Sequence, residues 1–552
     1  MDIQELSISG SIDRAVRDFP DDDALTTAGA TVSYARLGEL VDAFVRELTN
    51  RTERGEFVGI DARRGLAAIV AMLGSFKAAR PFIFIDERDS VASNSDKVRL
   101  LGIRAFARAG ADGGAELAEV PERWRSGPVV APPQVDDLAY AIYTSGSTGT
   151  PKCVLVRQAP LTAVIRDHVE RLGLGPGCST LQFARLTFDG CITEILWTLT
   201  AGARLVVLPE EQLAPGAVLR GTLERHRITH VKTTPFALTV TEPTAAMSLE
   251  HVINGGGACR PAVVAAWSAV ASFHNAYGLT ETTVCNLLTG PLDPAHCTAG
   301  VPLGELVGDC SYEIRPTGGP ARGELVIIGD SVAAGYLTEH GVQPFTPAGH
   351  PTGDVVELRD GQLYFVERLD RQVKVRGYRI DPGEVENAIC RMTSVRDAVV
   401  LAEAHDATAG AAADALVCYY QGDLDPRAMR EHLEGILDPY KVPSVFRQVD
   451  ALPYTPNGKV DRDALRVRRA ADAAAGAAAS PAEQVLGLVR TLTGVDDAQL
   501  DDNFFDVGGD SASAVVLVTK LKQLGWVDAG VRDVLRADDL RELADALETR
   551  RG

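Results

Sequence analysis

Leu138-Ala139-Tyr140-Ala141-Ile142-Tyr143 runs directly into Thr144-Ser145-Gly146-Ser147-Thr148-Gly149-Thr150-Pro151-Lys152. The first six residues are mostly apolar and read as a strand. Gly, Ser and Thr dominate the loop after it, closed by Pro and Lys. Glycines let the backbone curl so that N–H groups point inward, hydroxyls add donors, and Lys152 adds a point charge. A bare Gly/Ser surface turn is the plainer reading, but the strand in front and the Pro-Lys behind favour a phosphate cradle. The GxxxxGK[ST] spacing of a Walker A loop is missing.

Outward from this loop the chain alternates strands and helices. Phe57–Asp61, Pro81–Asp86, Arg204–Leu208 and His230–Thr234 read as strands, and Gly65–Ala79 reads as a helix. That alternation predicts an α/β domain with largely parallel sheets. From about residue 300 to 365 the texture changes to short strands with Gly and Pro turns, such as Glu313–Arg315, Gly323–Gly329 and Gln362–Val366. These predict a small antiparallel or barrel-like subdomain. A second α/β piece spans about 370–467. The run Ala470–Ala479 has nothing to bury and reads as a linker. Ser480-Pro481-Ala482-Glu483 then reads as a helix start, and Val485, Leu488, Val489 and Leu492 follow at helical spacing toward a small bundle.

The chain has 552 residues, enough for several domains. Its 75 acidic against 55 basic side chains give a net charge of −20, which argues against a nucleic-acid partner. Nine cysteines form no CxxC pair, have no His at zinc-ligand spacing and are odd in number, so a disulfide framework is not expected. With no basic or apolar leader at Met1–Glu5 and no apolar run near 18 residues, neither a signal peptide nor a membrane span is expected. A reduced, cytoplasmic setting is the expectation.

At the Thr144–Lys152 loop the chain resembles the adenylate-forming enzymes, above all the adenylation domains of nonribosomal peptide synthetases. Further family motifs recur in order: Phe188-Asp189, Asn275–Glu281, Gly323-Glu324-Leu325, Thr352-Gly353-Asp354, Arg368–Gly377 and Asn457–Arg462. Asp502–Ser511 resembles the attachment site of a peptidyl carrier domain. The resemblance implies an α/β adenylate-forming fold: a large core (1–369) with a small β-barrel-like subdomain, and a small mobile α+β subdomain (370–466). An Ala-rich linker (467–480) and a four-helix carrier domain (481–552) complete it.

The resemblance also implies ATP, Mg²⁺ and a covalent 4′-phosphopantetheine as cofactors. Thr144, Ser145, Gly146, Ser147, Thr148, Gly149 and Lys152 are expected at the phosphates, and Glu281 at Mg²⁺. Tyr277 is expected to stack on adenine and Asn275 to bond its amino edge, with Gly255, Thr280 and Phe365 also lining the nucleotide. Asp354 is expected at the ribose and Arg368 at the ribose or phosphate. Lys459 is the expected catalytic lysine, bridging carboxylate and α-phosphate, assisted by Glu281 and Thr144. Asp370 matches the hinge, Gly377 the loop that replaces Lys459 for thiol attack, and Ser511 the phosphopantetheine attachment.

Asp189 stands where amino-acid-activating relatives hold the α-ammonium group. Gly190, Thr193, Lys232, Ile253, Gly255, Ala276, Val284, Cys285 and Lys459 are the other expected pocket positions. Lys232 interrupts an apolar strand. It either snorkels to the surface or meets an anionic substrate side chain. With Thr193 it resembles the aspartate-selective pattern, and the small Gly190 and Ala276 leave space for a β-substituent. Asparagine, or an acyl or aryl acid, is the alternative. A non-catalytic carrier scaffold is opposed by intact Lys459, Glu281 and Asp354. The expected partners are a phosphopantetheinyl transferase, a downstream tailoring or condensation enzyme, and optionally an MbtH-like protein. With no condensation or thioesterase motif, a free-standing loading module is the expectation. The chain departs from the family at His350-Pro351, Glu367, Leu279 and Cys153. None of these removes a catalytic charge, but His350-Pro351 puts the ribose-side packing in question.

Overall fold

The computed structural model describes residues 7–111, 113–125, 133, 135–144, 152–298, 300–316, 321–346, 348–369, 372–392, 394–403, 415–449, 451–453, 462, 465, 481–493, 498–509, 513–514, 517–518, 520–521, 526 and 529–551. The chain divides into two compact units, the break falling between Arg371 and Gln372.

The first unit is built on two large sheets. One has eight strands, and its centre is parallel: Val58–Asp61 pairs with Phe82–Ile85 and with Ala105–Ala109. Both of the first two strands are buried along their full length, as expected where helices cover both faces. The helix Leu66–Ala78 is buried nearly all round, so its apolar residues form no single stripe. The other sheet has nine strands, with Ser179–Leu181, Arg204–Val206, His230–Thr233, His251–Asn254 and Ser272–Tyr277 parallel to one another, and Ser272–Tyr277 antiparallel to Leu287–Leu288 on its far side. The antiparallel texture after residue 300 is a four-stranded sheet of Cys310–Pro316, Arg322–Gly329, His350–Arg359 and Gln362–Arg368.

The nine-stranded sheet stacks three imidazoles. His230 and His251 lie 4.8 Å apart, and His251 and His274 5.2 Å apart. His274 Nδ1 faces the Thr289 carbonyl at 2.9 Å, so it carries the proton and Nε2 accepts from His251 Nδ1 at 2.9 Å. Burial pushes His230 and His274 down to about 4. Cys178, His230 and Glu250 also converge, but both nitrogens of His230 are engaged, by Thr229 and the Leu172 carbonyl.

The second unit holds the hairpin Val373–Val375/Tyr378–Ile380. Its two turn residues, Arg376 (φ +53°) and Gly377 (φ +86°), are left-handed, as a two-residue hairpin turn requires. The helix Pro382–Cys390, N-capped by Asp381, and the three-stranded sheet of Val395–Glu403, Ala415–Gly422 and Val445–Gln448 follow. Helices Pro481–Thr493, Val531–Arg536 and Leu540–Arg551 then enclose a separate core that includes Val485, Val489, Phe504, Leu517, Trp526 and Leu543. All nine cysteines are free. Among the described residues, no helix is long and apolar enough to cross a membrane.

Candidate active site

The predicted phosphate strand is real: Leu138–Thr144 pairs antiparallel with Lys152–Arg157, and Thr144 lies opposite Lys152. The two residues therefore form the neck of the Gly/Ser loop. Thr144 Oγ1 is buried without a hydrogen-bond partner, an orphan that fits a phosphate oxygen. Ser145, Gly146, Ser147, Thr148 and Gly149, together with Lys459, Asp370 and Ser511, lie outside the described residues.

Parallel strands bring Lys232, Ile253 and Ala276 to the carboxyl end of the nine-stranded sheet, the usual place for a ligand crevice. Lys232 does not snorkel away. Its Nζ donates to Thr193 Oγ1 at 2.9 Å, and the Thr193 hydroxyl donates in turn to the Gly190 carbonyl at 2.8 Å. The Trp197 ring lies 5.8 Å from the ammonium. Gly255 makes room for the lysine chain, because a Cβ there would stand 3.0 Å from Lys232 Cε, while Gly190 lies near the ammonium, a Cβ there falling 4.0 Å from Nζ. Ile253, Ala276 and Cys285 are buried beside this crevice, and Val284 is half-buried.

Asp189 precedes the helix Gly190–Thr200. The residue is half-buried, but its Oδ2 is shut from solvent and has no hydrogen-bond partner. Burial holds its carboxyl above the usual range, although the Thr280 hydroxyl and Lys232 pull it down. Glu194 lies deeper. Burial pushes it up to about 7, against the pull of Lys232 and Arg64. It accepts from Gln182 Nε2 and from the backbone N–H groups of Phe183 and Ala184, a structural role.

Around the expected nucleotide residues, Asp354 is buried. It accepts from the Tyr277 hydroxyl at 2.7 Å and pairs with Arg368 Nη1 at 2.5 Å. Each oxygen keeps a second lone pair for ribose hydroxyls. Asn275 is held by Asn254 at 2.9 Å and donates to the Pro302 carbonyl at 2.8 Å. Phe365 is exposed. Gly278 is sterically required, because a Cβ there would fall 2.4 Å from the Val284 carbonyl oxygen. His350 packs on Phe345, with ring centroids 4.7 Å apart.

Glu281 sits in the short turn Thr280–Thr282 and is almost fully buried. Its Oε1 accepts from the Tyr336 hydroxyl at 2.9 Å, and its carbonyl accepts from Ala333 N–H. The turn that holds this hard carboxylate packs on the strand Lys152–Arg157, which begins at the loop neck, and Glu281 would suit Mg²⁺ there. Sequence reasoning missed Tyr336, Trp197 and Glu194; each acts through contacts between segments far apart in the chain.

Comparison with known proteins agrees with this arrangement. The family described as "AMP-binding enzyme" matches residues 82–337, its C-terminal domain matches 384–459, and "phosphopantetheine attachment site" matches 483–547. Novobiocin biosynthesis protein H of Streptomyces niveus is 34% identical over 93% of this chain and 91% of its own length. The probable non-canonical nonribosomal peptide synthetase CymA of Salinispora arenicola is also 34% identical, over 97% of this chain but only 7% of its own length. Among solved structures, holo-PA1221, a protein with adenylation and carrier domains, superposes with a TM-score of 0.78 at 22% identity, over 98% of this chain and 96% of that one. The chain belongs to the AMP-binding, adenylate-forming enzymes of nonribosomal peptide synthesis, as an adenylation–carrier didomain that works with ATP, Mg²⁺ and phosphopantetheine.

Proposed function

We propose that the chain activates an α-amino acid, with aspartate or a β-substituted aspartate as the leading substrate, and loads it onto its own carrier domain. The observation that carries this reading is the pairing of two opposite charges in one crevice. Asp189 has an orphan oxygen that needs a cation, and Lys232 is a half-buried cation whose side-chain hydrogen bond, among the described residues, goes to the neutral Thr193 hydroxyl. An amino acid with an acidic side chain satisfies both: its ammonium meets Asp189 and its distal carboxylate meets Lys232. Asparagine offers Lys232 only a carbonyl oxygen. An aryl or fatty acid leaves Asp189 unpaired.

Adenylate formation needs positioning and charge neutralisation rather than a protein nucleophile. Thr144 and Lys152 hold the phosphates, Tyr277, Asp354 and Arg368 hold the nucleoside, and Lys459 meets the growing charge between carboxylate and α-phosphate. Glu281 holds Mg²⁺, which offsets phosphate charge when bound. Gly377, following the hinge at Asp370, faces the thiol half-reaction. Ser511 carries the phosphopantetheine arm, which supplies a thiol for the acyl group once a transferase has installed it. Downstream, an enzyme that recognises carrier-bound aminoacyl groups takes the product, and an MbtH-like protein is an optional partner.

ATP–pyrophosphate exchange across the twenty amino acids tests the reading. Aspartate should give the highest kcat/KM; a best substrate with an apolar side chain refutes it.

A further inference from the structure

Tyr336 lies on the strand Gly335–Thr338, which pairs with the strand Lys152–Arg157 that begins at the phosphate-loop lysine. Its hydroxyl donates to Glu281 Oε1 at 2.9 Å. Its ring lies 4.8 Å from Lys152 Nζ, within cation–π range. One side chain thus touches both the carboxylate proposed for Mg²⁺ and the cation proposed for phosphate. The ring is fixed in turn: Phe345 packs edge-on against it at 4.8 Å, and His350 packs on Phe345. His350 is one of the residues at which this chain departs from the family pattern, and it connects to the phosphate side of the site through Phe345.

We propose that Tyr336 is a positioning residue for the metal–phosphate centre. Its hydroxyl fixes the Glu281 carboxylate so that an oxygen is oriented toward Mg²⁺, and its ring keeps the Lys152 ammonium at the loop neck. This rests on the assignments of Glu281 and Lys152 made above. A hydrogen bond to a charged group has a typical worth that corresponds to roughly a tenfold change in binding.

Two variants separate the parts. Tyr336→Phe keeps the ring and removes only the hydroxyl, while Tyr336→Leu removes both. Calorimetric binding of a non-cleavable α,β-methylene ATP across a Mg²⁺ titration is the readout, so turnover is not needed. Tyr336→Phe should raise the Mg²⁺ concentration for half-maximal binding by roughly tenfold, with affinity at saturating Mg²⁺ within about twofold of wild type. Tyr336→Leu should also weaken nucleotide binding at saturating Mg²⁺. An unchanged Mg²⁺ requirement in Tyr336→Phe overturns the inference while wild-type Mg²⁺-dependent binding leaves the underlying assignments standing. Wild-type binding that ignores Mg²⁺ overturns both.

Discussion

Replacing Lys232 with methionine removes one charge from the crevice and keeps a stem of similar length between Gly190 and Gly255. In the wild type, Nζ has Thr193 Oγ1 at 2.9 Å and is the leading charge that pulls buried Glu194 down. With aspartate bound, the lost contact is a charge-assisted one of about 1.5–3 kcal/mol, so kcat/KM for aspartate should fall roughly 10- to 150-fold. Asparagine and alanine, which never make the ion pair, should change far less in pyrophosphate exchange. A second consequence needs no substrate. Burial raises Glu194 above its unfolded range, so the folded state holds its proton more tightly, and stability falls as pH rises from the unfolded value of about 4.5 through about 7. Without Lys232 the Glu194 carboxyl rises further, and the loss extends to higher pH. The variant's Tm should therefore drop further below wild type between pH 7 and 9. Equal losses for aspartate and alanine, or an aspartate loss under about threefold, refute the charge-pairing argument.

The buried histidines predict acid sensitivity of the core. His168, His230 and His274 are pushed by burial down to about 4, so the unfolded chain binds protons that the fold excludes. Stability is then lost as pH falls below about 6.5 toward 4, by about 2 kcal/mol for fully buried His168 alone between pH 7 and 5. A Tm that stays flat over that interval in scanning calorimetry contradicts this. Ser511→Ala should leave pyrophosphate exchange intact and abolish the mass increase of covalent loading; any loading that survives removes Ser511 as the attachment site. Lys459→Ala should abolish exchange yet largely spare transfer from a preformed adenylate, and normal exchange in that variant sinks the catalytic assignment.

The features legible in the chain came from local pattern. Phe82–Ile85 is apolar at every position because both faces are covered, and the helix Leu66–Ala78 is apolar all round because it too is enclosed. The strand that enters the Gly/Ser loop is legible because strand, loop residues and Pro-Lys are contiguous, whereas the return strand Lys152–Arg157 shows only in the structure. Lys232 was visible as a charge breaking an apolar strand, and its Thr193 partner came from family resemblance. The rest depended on register between distant segments. Nothing local marks Tyr336 as the partner of Glu281, or places His230, His251 and His274 in one stack; each waits for sheet pairing to bring it in. Asp354 is similar: its motif was legible, but its clamp by Tyr277 and Arg368 belongs to tertiary packing.

The charge pattern of the site bears most directly on the substrate. Four acids surround the crevice inside a chain of net charge −20. Glu194 accepts from a side-chain amide and two backbone N–H groups, Glu281 from Tyr336, and Asp354 from Tyr277 and Arg368. Of these four, only Asp189 has a solvent-free oxygen without a hydrogen bond. An unpaired buried carboxylate oxygen is costly unless a cation arrives. Lys232 lies close enough to influence Asp189 but gives its hydrogen bond to Thr193. Lys232 thus acts on both Asp189 and Glu194, yet among the described residues its side-chain hydrogen bond goes to a neutral hydroxyl. A ligand that bears an ammonium and a carboxylate beyond the one that reacts with ATP pairs with Asp189 and Lys232 at once.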